Sequence, residues 1–233
     1  MRIAILSDIH SNLEALQQAL SIIVEKKVDE VVCLGDTVGY GANPNECVDL
    51  VRKTTPHILL GNHDEAIINP DIAQTFNPNA RAAAEWTASQ LTDENKRFIK
   101  SLPYDYAIED LYFVHSSPFE PHEWHYILSA SNANKNFEFF SERICFIGHS
   151  HEPMVYCEDI WTKEVLPGKR YIINVGSVGQ PRDKDPRLSF GLYDTETYRY
   201  ENIRATYDVK TASEKIRKIG LPFVLAERIL VGK

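Results

Sequence analysis

RIAILSDIHSNLEALQQALSIIVEKKVDEVVCLGD, residues 2–36, is the stretch that decides the fold. Its two apolar runs, Ile3 to Leu6 and Val31 to Leu34, are too short for helices. They also lack the polar alternation of a half-exposed strand, so they suit strands buried on both faces. Between them Leu13, Leu16, Leu20 and Ile23 recur at spacings of three and four, which puts them on one face of an amphipathic helix. Strand, helix, strand is the opening of an α/β fold. Asp8 stands two residues past the first run and Asp36 two past the second.

The same texture continues downstream. Pro44 fits the first turn of a second helix in NPNECVDLVRK, with Asn43 able to cap it through its side-chain oxygen. Further buried runs follow at Ile58 to Leu60, Leu111 to Val114 and Ile144 to Ile147. Each is followed by a potential metal ligand: Asn62, His115 and His149. In a parallel α/β sheet ligands bind in the crevice outside the carboxyl ends of the strands, so these residues, with Asp8 and Asp36, are expected to converge. His10 joins Asp8, and His151 joins His149, across one intervening residue. Five of the eight histidines fall in these loops.

Residues 64–101 read as helical and resemble an inserted cap, with an Ala-rich stretch over 80–90 and Thr92 or Asp93 placed to cap a last helix before Pro103. After Gly148 the runs Met154 to Cys157, Arg170 to Val175, Leu188 to Tyr193 and Tyr198 to Ala205 read as antiparallel strands or hairpins. Gly220 and Pro222 divide Val209 to Val231 into two short helices. With no repeat and no low-complexity linker, one domain over residues 1–233 is expected.

Composition agrees with a globular protein: 43% of the residues are apolar and 25% charged, a balance outside the disordered and fibrous classes. The net charge of −8 repels polyanions, which disfavours non-specific nucleic-acid binding. Cys33, Cys47, Cys145 and Cys157 are scattered, with no C-x-x-C pair, and read as small buried hydrophobes. Nothing resembles a signal peptide or a membrane span, so a cytoplasmic location is expected.

Carboxylate, imidazole and amide without thiolate point to first-row divalent metals rather than a closed structural zinc site. Manganese comes first, with iron, zinc, cobalt or nickel also compatible. Seven ligands exceed one open site. With Asp36 bridging, they suit two ions roughly 3.5–4 Å apart, the spacing that clamps an in-line displacement at phosphorus.

Asp8-Ile9-His10, Gly35-Asp36 leading to Gly41, Gly61-Asn62-His63-Asp64, His115 and Gly148-His149-Ser150-His151 together resemble the five motifs of the calcineurin-like metallophosphoesterase family. The likeness extends to NVGSVGQPRD (174–183) and GLPFVLAERILVGK (220–233), as in the small bacterial and archaeal branch of phosphodiesterases and dinucleoside polyphosphate hydrolases. That branch usually has N-P-G-S where this chain has Val175. The resemblance implies an α/β fold of four layers, a β-sandwich flanked by helices (αββα). It assigns Asp8, His10, Asp36 and His151 to one metal, and Asp36, Asn62, His115 and His149 to the other. It further implies attack by a metal-bridging hydroxide, with His63 protonating the leaving oxygen or holding a phosphate oxygen. The family's protein phosphatases carry GDxxDRG, supplying an Asp that orients this histidine and an Arg for phosphate. Gly39-Tyr40-Gly41 stands there instead, which counts against protein phosphatase activity.

Plainer readings stand beside these. The Asp and Asn residues could serve as turns and caps, and His63 as a surface turn residue. Ser177, Gln180 and Arg182 lie on a Gly-rich loop that either returns to the rim to bind substrate phosphate or is a simple turn. His57 reads as structural, and His122 and His125 as loop residues beside the substrate mouth. Trp86, Leu91 and Phe98 read as core. The functional expectation is hydrolysis of small phosphodiesters, nucleotides or dinucleoside polyphosphates. A DNA exonuclease of the superfamily is the first alternative, against which the acidic balance counts. A non-catalytic scaffold of the same fold is the second, against which the intact ligand set counts.

Overall fold

A computed structural model describes residues 1–160, 162 and 164–233. Its strands are β1 (Arg2–Leu6), β2 (Glu30–Cys33), β3 (His57–Ile58), β4 (Asp105–Ile108), β5 (Leu111–Val114), β6 (Ile144–Ile147), β7 (Met154–Cys157), β8 (Tyr171–Asn174), β9 (Leu188–Asp194) and β10 (Arg199–Ala205). The α-helices are α1 (Leu13–Glu25), α2 (Pro44–Thr54), α3 (Asn62–Ile68), α4 (Pro70–Thr75), α5 (Pro78–Gln90), α6 (Asp93–Lys100), α7 (Ala130–Asn136), α8 (Val209–Lys218) and α9 (Phe223–Val231).

The strands form two five-stranded sheets, ordered β10-β9-β1-β2-β3 and β4-β5-β6-β8-β7. Alternation along β1 explains the layering. Ile3 and Ile5 face inward with Val32 and Leu34, and meet Phe113, Phe146, Tyr171 and Ile173 of the second sheet. Ala4 and Leu6 face outward, under Leu16 and Ala19 of α1 and Cys47 and Val51 of α2. The far face of the second sheet presents Val114, Cys145 and Ile172 to Ala133 of α7 and to Phe137. The order is therefore helix, sheet, sheet, helix, and β1 is buried on both faces as its apolar run requires.

The register carries the functional consequence. Leu6 lies level with Cys33, and Cys33 with Ile58, in the parallel triple β1-β2-β3. In the second sheet Phe113 lies level with Phe146, and Phe146 with Ile173. Both parallel sets end on the same side of the sandwich.

Four expectations change. The crevice is built by two sheets: Asp8, Asp36 and Asn62 follow strands of the first, His115 and His149 strands of the second. β8 is not part of a purely antiparallel tail but lies parallel to β6, with β7 antiparallel on its other edge. Helix begins at Asn62 itself and runs through α6. Asn43 sits at the start of α2 without capping it, because its amide donates to Glu46 (3.0 Å) and its oxygen accepts from Lys215 (3.2 Å). Thr92, rather than Asp93, caps α6 by accepting from the Asn95 N–H at 3.2 Å. The four cysteines are buried and unpaired. Among the described residues no helix is long and apolar enough to cross a membrane.

Candidate metal centre

Where β1 ends, the chain cannot continue as strand, because Asp8 and His10 adopt left-handed backbone (φ 54° and 50°). Asp36, His149 and His151 do the same, at 52°, 64° and 62°. Non-glycine residues rarely adopt this region, which costs on the order of 1–3 kcal/mol per residue. Neighbouring loops over-determine it here. The N–H of Asp8 donates to Gly35 O (3.1 Å) and that of His10 to Asp36 O (2.9 Å), while Gly148 N–H donates to His115 O (2.9 Å). The turns gather Asp8, His10, Asp36 and His151 at one point and set His149 beside His115, 5.1 Å between ring centres.

Two glycines allow the carboxylates to be oriented. A Cβ on Gly61 would lie 2.2 Å from Asp36 Oδ1, and one on Gly148 would lie 2.5 Å from Asp8 Oδ2. Their absence lets the His63 N–H donate to Asp36 Oδ1 (2.8 Å) and the His149 N–H to Asp8 Oδ2 (3.0 Å). The other oxygen of each carboxylate turns to the imidazoles. Asp8 Oδ1 stands 3.2 Å from His151 Nε2. Asp36 Oδ2 stands 3.5 Å from His10 Nε2 and 3.5 Å from His115 Nε2.

The ring orientations follow from backbone carbonyls. Nδ1 of His10 is 3.1 Å from Val38 O, that of His115 is 3.1 Å from Leu34 O, and that of His151 is 2.6 Å from Gln180 O. A proton on Nδ1 donated to each carbonyl leaves Nε2 as a lone pair facing the carboxylates, the usual outer support of a metal-bound imidazole. His149 is inverted: its Nε2 bonds Trp124 O (3.0 Å), which leaves Nδ1 as the free nitrogen. Tyr126 stacks on it at 3.9 Å between centroids.

These residues fit a divalent cation on observations of the structure itself. Ligand atoms of Asp8, His10, Asp36 and His151 all lie within 4.8 Å of one another, every one buried. Asp8 Oδ1, Asn62 Oδ1 and His115 Nε2 are buried with no hydrogen-bond partner, which is costly unless something else satisfies them.

Charge states agree. Burial works against ionising Asp8, yet His151 and His115 hold it well below the ordinary carboxylate range; for Asp36, His115 and His63 do the same. Burial pushes His149 down to about 3 and His63 to about 4, and lowers His10 as well. His115 is the exception: burial opposes its charge, but Asp36 and Asp8 raise it to about 9. Apart from His115, whose proton a cation would have to displace, the carboxylates are ionised and the imidazoles neutral, the protonation states that ligation requires.

The expected substrate contacts divide. Ser177 and Gln180 are fully buried and turned away from any rim. Ser177 Oγ donates to Asp8 O (2.8 Å) and accepts from Gln180 N–H (2.7 Å), and Gln180 O holds His151. These bonds brace the ligand loops. Asn174 adds to the brace by donating to Gly148 O (2.6 Å). Of the three only Arg182 is partly exposed, with its guanidinium 6.0 Å from the Tyr40 ring centre.

A cavity of about 530 Å³ opens beside the ligands. Asn62, His63 and His149 form its polar end, and Tyr40, Phe76, Trp124 and Tyr126 its aromatic walls; His122 is on the rim. His63 has no carboxylate partner. Its ring is instead packed at 4.4 Å from Tyr40 and 4.6 Å from Phe76, with Gly39 behind it. His125 lies in a separate surface depression with Phe119 and Lys135. His57 stacks on Tyr106 at 4.6 Å and pairs with Glu30, a structural role.

Sequence reading missed Asp64, whose carboxylate accepts from Thr37, Val38 and Gly61 N–H and so fastens the Asp36 loop to the GNHD turn. Its position inside the motif was the available signal. Trp124 and Tyr126 were missed as well. Nothing distinguishes aromatics in a loop until the fold places them.

Residues 1–198 match the model of the calcineurin-like phosphoesterase superfamily domain, and the chain belongs to that family. A metallophosphoesterase from Sphaerobacter thermophilus is 40% identical and superposes with a TM-score of 0.89, over 100% of this chain and 99% of that one. An uncharacterized protein of Methanocaldococcus jannaschii is 39% identical over 246 residues, covering 99% of this chain and 98% of its own. A hypothetical protein of Pyrococcus horikoshii shares the fold at 20% identity, with a TM-score of 0.86 over 100% and 98% of the two chains.

Proposed function

We propose that this protein is a binuclear metal-dependent phosphoesterase acting on small phosphodiesters, nucleotides or dinucleoside polyphosphates. The carrying observation is Asp36 Oδ2, equidistant at 3.5 Å from His10 Nε2 and His115 Nε2. A carboxylate oxygen so placed belongs to two ligand groups at once: Asp8, His10, Asp36 and His151 on one side, Asp36, Asn62, His115 and His149 on the other. Divalent ions held there, manganese foremost, supply Lewis acidity toward a phosphoryl oxygen and a nucleophilic water near neutral pH.

The chain's own residues do the rest. His63 borders both ligand groups and the cavity, placed in its neutral form to donate an N–H hydrogen bond to a phosphoryl or leaving-group oxygen. The aromatic walls take the organic part of the substrate. Burial of the ligands excludes bulk water, so charges on the phosphoryl oxygens act through a low dielectric.

The test is hydrolysis with added Mn²⁺ of an aryl phosphodiester, an aryl phosphomonoester and diadenosine tetraphosphate. We expect turnover of at least one, abolished in Asp36→Asn and reduced about 10²- to 10⁴-fold in His63→Ala. No turnover of any phosphoester with Mn, Fe, Co, Ni or Zn would overturn the reading.

A further inference from the structure

Two arginines lean on the same tyrosine at the edge of the centre. Tyr40 packs against His10 at 4.8 Å and His63 at 4.4 Å between ring centres. Arg182, from the loop after β8, lies 6.0 Å from its ring centre, and Arg228, from α9, lies 5.6 Å. The two residues are 46 positions apart in sequence but meet at one ring.

Among the described residues neither guanidinium is within ion-pair distance of a side-chain carboxylate, although Arg187, Arg204 and Arg217 each have one. Arg182 donates to the Gln180 amide oxygen at 3.2 Å and to the Tyr126 hydroxyl, and among the described residues its Nε is buried without a hydrogen-bond partner. Arg228 Nε donates to Lys233 O at 2.6 Å. The cations also feel each other: burial, then the charge of Arg182, holds Arg228 below its ordinary pKa. Two half-buried like charges with no Asp or Glu beside them are unfavourable in a chain with 33 Asp and Glu against 25 Lys and Arg, even with Lys233 O beside Arg228. An anionic ligand offsets that cost.

Resting on the phosphoesterase reading, we infer that Arg182 and Arg228 form a clamp for a second phosphoryl group of the substrate, beyond the one at the metal ligands. The reacting phosphoryl sits at the ligand groups on one side of Tyr40. A neighbouring phosphoryl in the same chain of anhydrides falls to the arginines, whose planar forks match its oxygens. The clamp therefore selects phosphoanhydrides over simple diesters. Tyr126, stacked on His149 and hydrogen-bonded to Arg182, joins the clamp to the aromatic cavity that Tyr40 also lines.

The experiment is calorimetric binding of adenosine 5′-diphosphate and 5′-monophosphate to the metal-loaded full chain, with metal saturating throughout. Wild type should prefer the diphosphate by about tenfold or more, which is about 1.4 kcal/mol. Arg228→Gln and Arg182→Gln should each reduce that preference to within about threefold, and Arg228→Lys, which keeps the charge but loses the fork, should fall between. Lys218→Gln, which removes one positive charge from the exposed side of α8, should keep the wild-type ratio. Thermal melts check that each variant is folded. Equal affinity for both nucleotides in wild type, or an undiminished preference in Arg228→Gln, overturns the clamp. Binding does not require turnover: a diphosphate preference without hydrolysis would keep the clamp and sink the catalytic reading, and hydrolysis without the preference would do the reverse.

Discussion

The two sheets meet at the centre with different chemistry. The first delivers Asp8, Asp36 and Asn62 from the ends of β1, β2 and β3, together with His10. The second delivers only imidazoles: His115 after β5, then His149 and His151 after β6. The oxygen donors thus all come from one side of an apolar seam and all but one of the imidazoles from the other, and neither sheet alone assembles the candidate site. The seam is stitched by a hydrogen bond as well as by packing, since the His149 N–H of the second sheet orients Asp8 of the first at 3.0 Å. Ligand geometry is therefore a readout of how the sandwich is packed.

Breaking the seam far from the ligands is the strongest test of that coupling. Phe146 is fully buried between the sheets, 5.5 Å from Phe113 and 5.8 Å from Tyr193 between ring centres. Phe146→Ala should cost about 3–5 kcal/mol in denaturant unfolding. It should also weaken metal affinity although no ligand is touched; unchanged metal affinity would separate the seam from the site. Gly148→Ala acts at the stitch itself. The added methyl would lie 1.9 Å from Ser7 Oγ and 2.5 Å from Asp8 Oδ2, so we expect a loss of roughly 1–3 kcal/mol and displacement of the His149 N–H from Asp8. Mutant crystals with that bond intact would contradict the account.

The smallest effect lies outside the seam. Asp185 is held well below the ordinary carboxylate range, first by its bonds to the Arg187 side chain and then, with burial opposing, by Arg187 N–H and Arg204. A depressed carboxyl stabilises the fold above its unfolded value of 3.8, and that contribution fades as pH falls through and below it. The pair is largely solvent-exposed, so Asp185→Asn should cost under about 1 kcal/mol at pH 7, shrinking toward zero in acid. Metal affinity should not change. A large neutral-pH loss, or one that grows as pH falls, would refute this.

The contrast between the sheets also explains what sequence could show. β1, α1 and β2 were legible because periodicity there is strong, and the convergence of the candidate ligands because Asp8, Asp36, Asn62, His115 and His149 each follow a buried run. β4 was not read as a strand: its residues alternate between half-buried and exposed over only four positions, and it is an edge strand paired with β5 alone. The left-handed turns at Asp8, His10, Asp36, His149 and His151 were invisible too, since no glycine marks those positions and the cost is met by tertiary hydrogen bonds. Ser177 and Gln180 read as contacts because a Gly-rich loop suits phosphate; that their bonds fasten the ligand loops could not be read from sequence. Arg228 could not have been found at all, for its significance comes from Tyr40, 188 positions earlier.

Metal content tests the central claim most directly. The full chain is loaded with Mn²⁺, freed of excess ion and assayed for bound manganese per chain, with Asp36→Asn beside it. A shared carboxylate between two ligand groups predicts two ions per chain in wild type and loss of both from tight binding in Asp36→Asn. A single ion in wild type, or two ions retained in Asp36→Asn, would contradict a binuclear centre bridged by Asp36.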